Sequence, residues 1–143
     1  MERDRYSICI RSQVDALAAI NSFIRRVGRL RRLSLKLVED MILAVYEGCA
    51  NIIEHAYNGR EDRQIRVEMQ VESDRVSAFI YDDGPFFLPE QSDSARVDHL
   101  VNQGADGGLG LLIMEKVTDG IERYSRDGYN VLHLYKNRDS EEE

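Results

Sequence analysis

Seven apolar residues, Val38, Met41, Ile42, Val45, Cys49, Ile52 and Ala56, recur at intervals of three and four with one adjacent pair. That is the spacing of one face of an α-helix. Ser34 stands ahead of the stripe as a candidate N-cap. Asn58-Gly59 supplies a stop behind it, so the spacing predicts a helix from about residue 34 to Tyr57. A stripe this regular has to be covered, and much of the remaining chain consists of short alternating segments suited to that task.

Tyr6, Ile8 and Ile10 alternate with polar or small residues, which predicts a half-buried strand over residues 5–11. Ser12 then reads as an N-cap, and Leu17, Ile20, Ile24 and Val27 follow at helical spacing up to a stop at Gly28. Ile65, Val67, Met69 and Val71 form a second alternating run, and Val76 to Tyr81 is apolar on both faces apart from Ser77. The intervening Ser73-Asp74-Arg75 is of hairpin length, so these two strands should pair antiparallel. Residues 82–106 show no period and read as a lid or loop. A short helix from Leu109 to about Val117 and strands over 121–125 and Tyr129–Tyr135, joined by Arg126-Asp127-Gly128, complete the chain. The expected fold is an α+β two-layer sandwich, a mainly antiparallel (mixed) sheet covered on one face by helices. A single domain over residues 1–143 is expected, with tails at about 1–4 and 138–143 disordered.

A formal net charge of −7 argues against nonspecific nucleic-acid binding, which relies on clustered Lys and Arg. No segment is apolar for long enough to cross a bilayer, and no apolar leader follows Met1. Cys9 and Cys49 lack metal-ligand or CxxC spacing and read as buried thiols of a reducing compartment. A cytoplasmic protein is expected, with neither membrane nor nucleic acid as partner. One local exception to the acidic balance is the cluster Arg25, Arg26, Arg29, Arg31 and Arg32, which reads first as a solvated helix end and linker and, alternatively, as a dock for an acidic protein surface.

At about 100° per residue, Glu47, Asn51 and His55 project away from the apolar stripe of the long helix. Ala44 and Gly48 fall on that side too, and a mid-helix glycine, costing about 1 kcal/mol relative to Ala, makes sense where something must approach the backbone. Glu47 suits the orientation or deprotonation of a nucleophile. The side-chain oxygen of Asn51 suits a nucleotide-bound Mg²⁺. Asp82-Asp83-Gly84-Pro85 closes an apolar strand. There Asp82 can accept a hydrogen bond from the exocyclic amino group of adenine, where guanine presents an oxygen, and Gly84 lets backbone lie near the base. Gly104, Gly107, Gly108 and Gly110 precede the next predicted helix, whose backbone N–H groups can receive phosphates.

In this order the motifs resemble the N-box and two glycine boxes of the GHKL, or Bergerat-type, ATPase superfamily. Within it, Glu47-Gly48-Cys49-Ala50-Asn51-Ile52-Ile53-Glu54-His55-Ala56-Tyr57 is similar to the longer N-box of the bacterial anti-sigma-factor serine kinases of the RsbW type, and so is Gly107-Gly108-Leu109-Gly110-Leu111-Leu112-Ile113-Met114. Pro85-Phe86-Phe87 follows the DxG without a second glycine, and between Phe86 and Asp106 only Arg96 and His99 offer themselves as phosphate contacts.

The resemblance implies a Bergerat fold, ATP and Mg²⁺ as cofactors, and a protein kinase that also sequesters a sigma factor. Its phosphoacceptor would be a serine on a STAS-domain anti-anti-sigma partner, and a homodimer is expected. It also implies Glu47 as general base and Asn51 as Mg²⁺ ligand. Asp82 and Gly84 become the adenine contact, and Gly107, Gly108, Leu109, Gly110 and Leu111 the phosphate-binding box. The competing reading is a non-catalytic, nucleotide-gated binding module that inhibits its partner without phosphoryl transfer.

Overall fold

The computed structural model describes residues 4–85 and 106–138, with side chains from 109 onward in the second segment. The expected lid, with Arg96 and His99, lies outside the described residues. The described residues form five strands: β1 (Arg5–Arg11), β2 (Gln64–Val71), β3 (Arg75–Asp82), β4 (Gly120–Arg126) and β5 (Tyr129–Asn137). They lie in the order β1-β2-β3-β5-β4, and every pair among them is antiparallel. The helices are α1 (Leu17–Arg31), α2 (Leu35–Asn51) and α3 (Asp106–Val117). Since β3 leads through α3 to the edge strand β4, β5 returns into the slot beside β3.

Alternation decides which face is covered. Ile65, Val67, Met69, Val76, Ala78, Ile80 and Leu134 are fully shielded and join Ile20, Ile24, Met41 and Val45 from the helices in one core. On the opposite face Arg66 lies over the Tyr81 ring and Arg75 over the Tyr135 ring, both at 3.8 Å. Guanidinium groups cover the aromatic rings there without burying them. This is the expected two-layer arrangement.

Several local expectations change. Ser34 does cap α2, accepting from Leu37 N at 3.2 Å. Ser12 caps nothing: it is fully buried, its Oγ donates to the Arg60 carbonyl at 2.5 Å, and it accepts from Arg63 N at 3.2 Å. Its hydroxyl therefore ties the end of β1 to the turn before β2. Helix α1 does not stop at Gly28, which lies buried against Val38. The helix runs on until Arg32 adopts the left-handed conformation at φ 57° and Leu33 N bonds Gly28 O at 2.9 Å, a Schellman-type ending.

The long helix does reach Tyr57, but its last turn, Ile52–Ala56, is a π-turn. Tyr57 N bonds Ile52 O at 2.9 Å, and positive φ at Asn58 and Gly59 ends the element. Cys49 is buried, whereas Cys9 is exposed on the edge strand. Of the expected disordered tails, Asp4 and Arg138 are held: Val71 N donates to Asp4 O, and Arg138 N to Asp74 O, both at 2.9 Å. The other tail residues lie outside the described residues.

Candidate functional site

Glu47 and Asn51 lie one turn apart near the end of α2, where helical rise puts both side chains over the start of α3. The approach is close. A Cβ on Gly110 would stand 2.8 Å from Glu47 Oε1 and 3.7 Å from Asn51 Oδ1. Only hydrogen at this position lets a carboxylate, an amide and helical backbone share the space. The two halves of the sequence pattern, 59 residues apart at Asn51 and Gly110, therefore meet. Partial burial pushes the Glu47 carboxyl above the ordinary carboxylate range, which suits a group that accepts protons.

Asp82 is the last residue of β3 and is buried. Its Oδ1 accepts from Gly84 N at 2.9 Å and from Asn130 Nδ2 at 2.8 Å, and Oδ2 takes part in neither bond. The same Asn130 nitrogen lies 2.9 Å from Gly84 O, so one amide fixes both the carboxylate and the turn behind it. Burial raises the Asp82 pKa, and the bonds from Asn130 and Gly84 oppose that rise. Cys49, fully buried nearby, has its thiol pushed up to about 12 by burial and by the Asp82 charge. That thiol is inert.

Gly84 also serves a packing contact: a Cβ there would meet the Ala56 carbonyl oxygen at 2.9 Å and Tyr57 Cδ1 at 3.2 Å. The glycine lets the turn lie against the π-turn of the long helix. Tyr57 secures it from below, its hydroxyl donating to Gln64 O at 2.6 Å and accepting from Asp83 N at 3.1 Å. Arg63 Nη2 holds Asp83 Oδ1 at 2.7 Å. Asp83 is thus committed to structure, and Asp82 faces the cleft.

That cleft is lined by Asn51, Asp82, Arg123 and Asn130 over a floor that includes Gly48 and Leu132. Gly48 lines the floor of that cleft beside Asn51, whereas Ala44 is wholly buried. A Cβ on Gly48 would meet Leu132 Cδ2 at 2.9 Å and Ile80 Cδ1 at 3.1 Å, so it is the sheet that approaches the helix backbone.

The glycine-rich segment is not a loop ahead of the helix: Gly107, Gly108, Leu109 and Gly110 belong to the opening turns of α3. Its capacity for anions survives this change, because the first four N–H groups of any helix lack intrahelical acceptors. Leu109 is exposed, and Leu111 packs against the core and fixes the helix. His55 is exposed beside Glu54. His133 stacks on Phe79 at 4.2 Å and bonds Ser77 Oγ at 3.0 Å, away from the cleft-lining residues.

Sequence reasoning missed Asn130 and Arg123. Each was detectable as a polar residue in a core-facing position, Asn130 in the series with Leu132 and Leu134, and Arg123 with Ile121. Among the described residues, no group of three His, Cys, Asp or Glu side chains could hold a metal ion. The hard oxygen of Asn51 beside a cleft suits a cation that brings its other ligands with it, as Mg²⁺ does on nucleotide phosphates.

The model of the histidine kinase-like ATPase domain matches residues 10–136. Among curated relatives, the serine-protein kinase RsbW of Bacillus velezensis is 34% identical over 98 residues, 66% of this chain and 61% of that protein. RsbW of Bacillus pumilus is 36% identical over 100 residues, 66% of this chain and 62% of that protein. The chain thus spans about three fifths of the length of these relatives. The fold is shared with the RsbU and RsbW domains of Rv1364c from Mycobacterium tuberculosis, at TM-score 0.65 and 15% identity over 94% of this chain and 32% of that one. It is shared also with the SiaB-SiaC complex from Pseudomonas aeruginosa, at TM-score 0.54 and 15% identity over 92% of this chain and 89% of that chain.

Proposed function

The chain belongs to the histidine kinase-like ATPase family, and from that premise we propose that it is an ATP-dependent serine protein kinase that doubles as an anti-sigma factor. Its phosphoacceptor is a serine on a STAS-domain anti-anti-sigma partner, and a sigma factor is its sequestered target. It works as a homodimer in the cytoplasm. The observation that carries this reading is the convergence of Glu47 and Gly110 on Asn51, which lines the same cleft as Asp82.

Asp82 receives the adenine amino group, and the N–H groups at the start of α3 receive phosphates. Asn51 would supply a side-chain oxygen to a Mg²⁺ that neutralises those phosphates. Phosphoryl transfer asks little covalent chemistry of the protein; positioning and charge stabilisation do most of the work. Glu47 accepts the proton of the incoming serine hydroxyl, and its raised pKa makes it a better base than a surface carboxylate.

The test is incubation of the protein with radiolabelled ATP, Mg²⁺ and a STAS-domain partner. Label should pass to a serine of the partner, and Glu47→Ala should abolish transfer while keeping ATP binding. Tight partner binding with no transfer by the wild-type protein would replace the kinase with a nucleotide-gated inhibitor.

A further inference from the structure

The cleft holds a cation that the roles assigned above leave unused. Arg123 stands opposite Leu132 in the β4–β5 pair, and Leu132 stands opposite Ile80 in the β5–β3 pair. Asp82 is two residues beyond Ile80, so all four share one face of the sheet. Arg123 accordingly lines the cleft with Asn51, Asp82 and Asn130. Among the described residues it makes no side-chain hydrogen bond or salt bridge, and Asp82 is the acidic group that acts on it. Burial weakens its hold on its proton, and the Asp82 charge opposes that effect.

A guanidinium carries five N–H donors and no acceptor. None of the Arg123 nitrogens is a buried atom without a partner, so its donors stay open to whatever enters the cleft. The neighbouring Asp82 is an acceptor with Oδ2 outside its two internal bonds. An acceptor and a donor set side by side complement a ligand edge that alternates donor and acceptor. The six-position edge of adenine is such an edge, its amino group flanked by the ring nitrogens N1 and N7.

We infer that Arg123 reads the nucleobase, donating to a ring nitrogen of the adenine whose amino group bonds Asp82. The inference rests on the adenine role of Asp82 proposed above. Asp82 sets adenine against guanine; Arg123 adds affinity by spending its donors on the ring. A purine without that ring nitrogen leaves the guanidinium desolvated and unpaired, which is the situation in which discrimination is largest.

The experiment is calorimetric titration of the full chain, in Mg²⁺, with ATP, 1-deaza-ATP and 7-deaza-ATP. The wild-type protein should bind one of the two deaza analogues about 10- to 100-fold more weakly than ATP. Arg123→Met should bind ATP and that analogue alike, at the weaker level. Arg123→Gln, which keeps an N–H donor, serves if the methionine variant melts early.

Equal binding of all three nucleotides by the wild-type protein would overturn the inference, with no variant needed. So would a gap that persists unchanged in Arg123→Met. Asp82→Asn separates this failure from that of the underlying reading. If Asp82→Asn loses ATP but Arg123→Met does not, Arg123 alone is reassigned; if Asp82→Asn binds ATP as wild type does, the adenine role of Asp82 itself falls.

Discussion

Asn130 faces Asp82 across the β3–β5 pair and donates to its Oδ1 at 2.8 Å. The bond opposes the effect of burial on the carboxylate, and the same nitrogen reaches Gly84 O at 2.9 Å. Asn130→Ala should therefore do two things. It should cost roughly 1–2 kcal/mol in urea unfolding, since it leaves partly buried acceptors unpaired. It should also raise the Asp82 pKa further. A buried Asp with a raised pKa binds its proton more tightly when folded, so its own contribution to stability is fully present below the unfolded pKa and is lost as pH rises through the folded value. ATP recognition needs the charged form and moves the other way. The acid limb of ATP affinity should lie at higher pH in Asn130→Ala than in the wild-type protein; an unmoved limb would remove Asn130 from the control of Asp82.

Gly110→Ala tests the meeting of the two halves of the pattern. The added methyl would lie 2.8 Å from Glu47 Oε1, the end of a flexible side chain, so the carboxylate moves and the fold does not. Stability should hold or rise slightly, because Ala is favoured over Gly inside a helix by about 1 kcal/mol. Phosphoryl transfer should fall by about 100-fold, the scale of a 1 Å misplacement near reacting groups. Transfer at the wild-type rate with the methyl in place would dissociate Gly110 from the geometry of Glu47.

Gly48→Ala should behave in the opposite way. Its methyl meets Leu132 Cδ2 at 2.9 Å and Ile80 Cδ1 at 3.1 Å, side chains held on two strands of the sheet. Overpacking of this kind costs about 1–3 kcal/mol, against about 1 kcal/mol regained in helix propensity. The melting temperature should fall, and a rise would mean that the helix and sheet separate freely.

This contrast marks the limit of what was legible. The α2 stripe, the β2–β3 hairpin and the three motifs announced themselves, because period and turn chemistry are local. Gly48 and Ala44 did not, because a helix packed on both a sheet and another helix buries two faces, and only the one rich in large residues shows as a stripe. Asn130 and Arg123 needed the register of three strands to come near Asp82. Ser12 looked like a cap because its true partners lie 48 and 51 positions downstream. The glycine-rich segment looked like a loop because glycine disfavours helix interiors, a preference that the opening turns of α3 override.

The pH dependence of transfer should identify Glu47. Its carboxyl is held above the ordinary range by burial, and a general base acts only when deprotonated. The rate at saturating ATP should fall as pH drops through that raised value, and Glu47→Gln should show a low rate without this limb. Saturation matters because the raised pKa of Asp82 also weakens nucleotide binding in acid. An acid limb that persists in Glu47→Gln would assign the proton to another group.

The arginine cluster divides into two kinds of residue, and the division predicts which of them a partner meets. Arg25 pairs Glu39 at 2.6 Å, and half-buried Arg31 reaches Asp4 at 3.6 Å and the Tyr6 hydroxyl at 3.3 Å. These two bind the protein to itself. Arg26, Arg29 and Arg32 are exposed, as are Leu30 and Leu35 in the same stretch, at 63% and 72% despite being large and apolar. Exposed apolar side chains interspersed in sequence with arginines suit an acidic protein surface with an apolar centre. Reversing Arg26, Arg29 and Arg32 together to Glu should weaken capture of an acidic STAS-domain partner and flatten its salt dependence, with ATP affinity unchanged. Arg31→Glu should instead lower the melting temperature, since it removes the tie to Asp4 and Tyr6. If the triple variant captures its partner at low salt as the wild-type protein does, docking lies on another face.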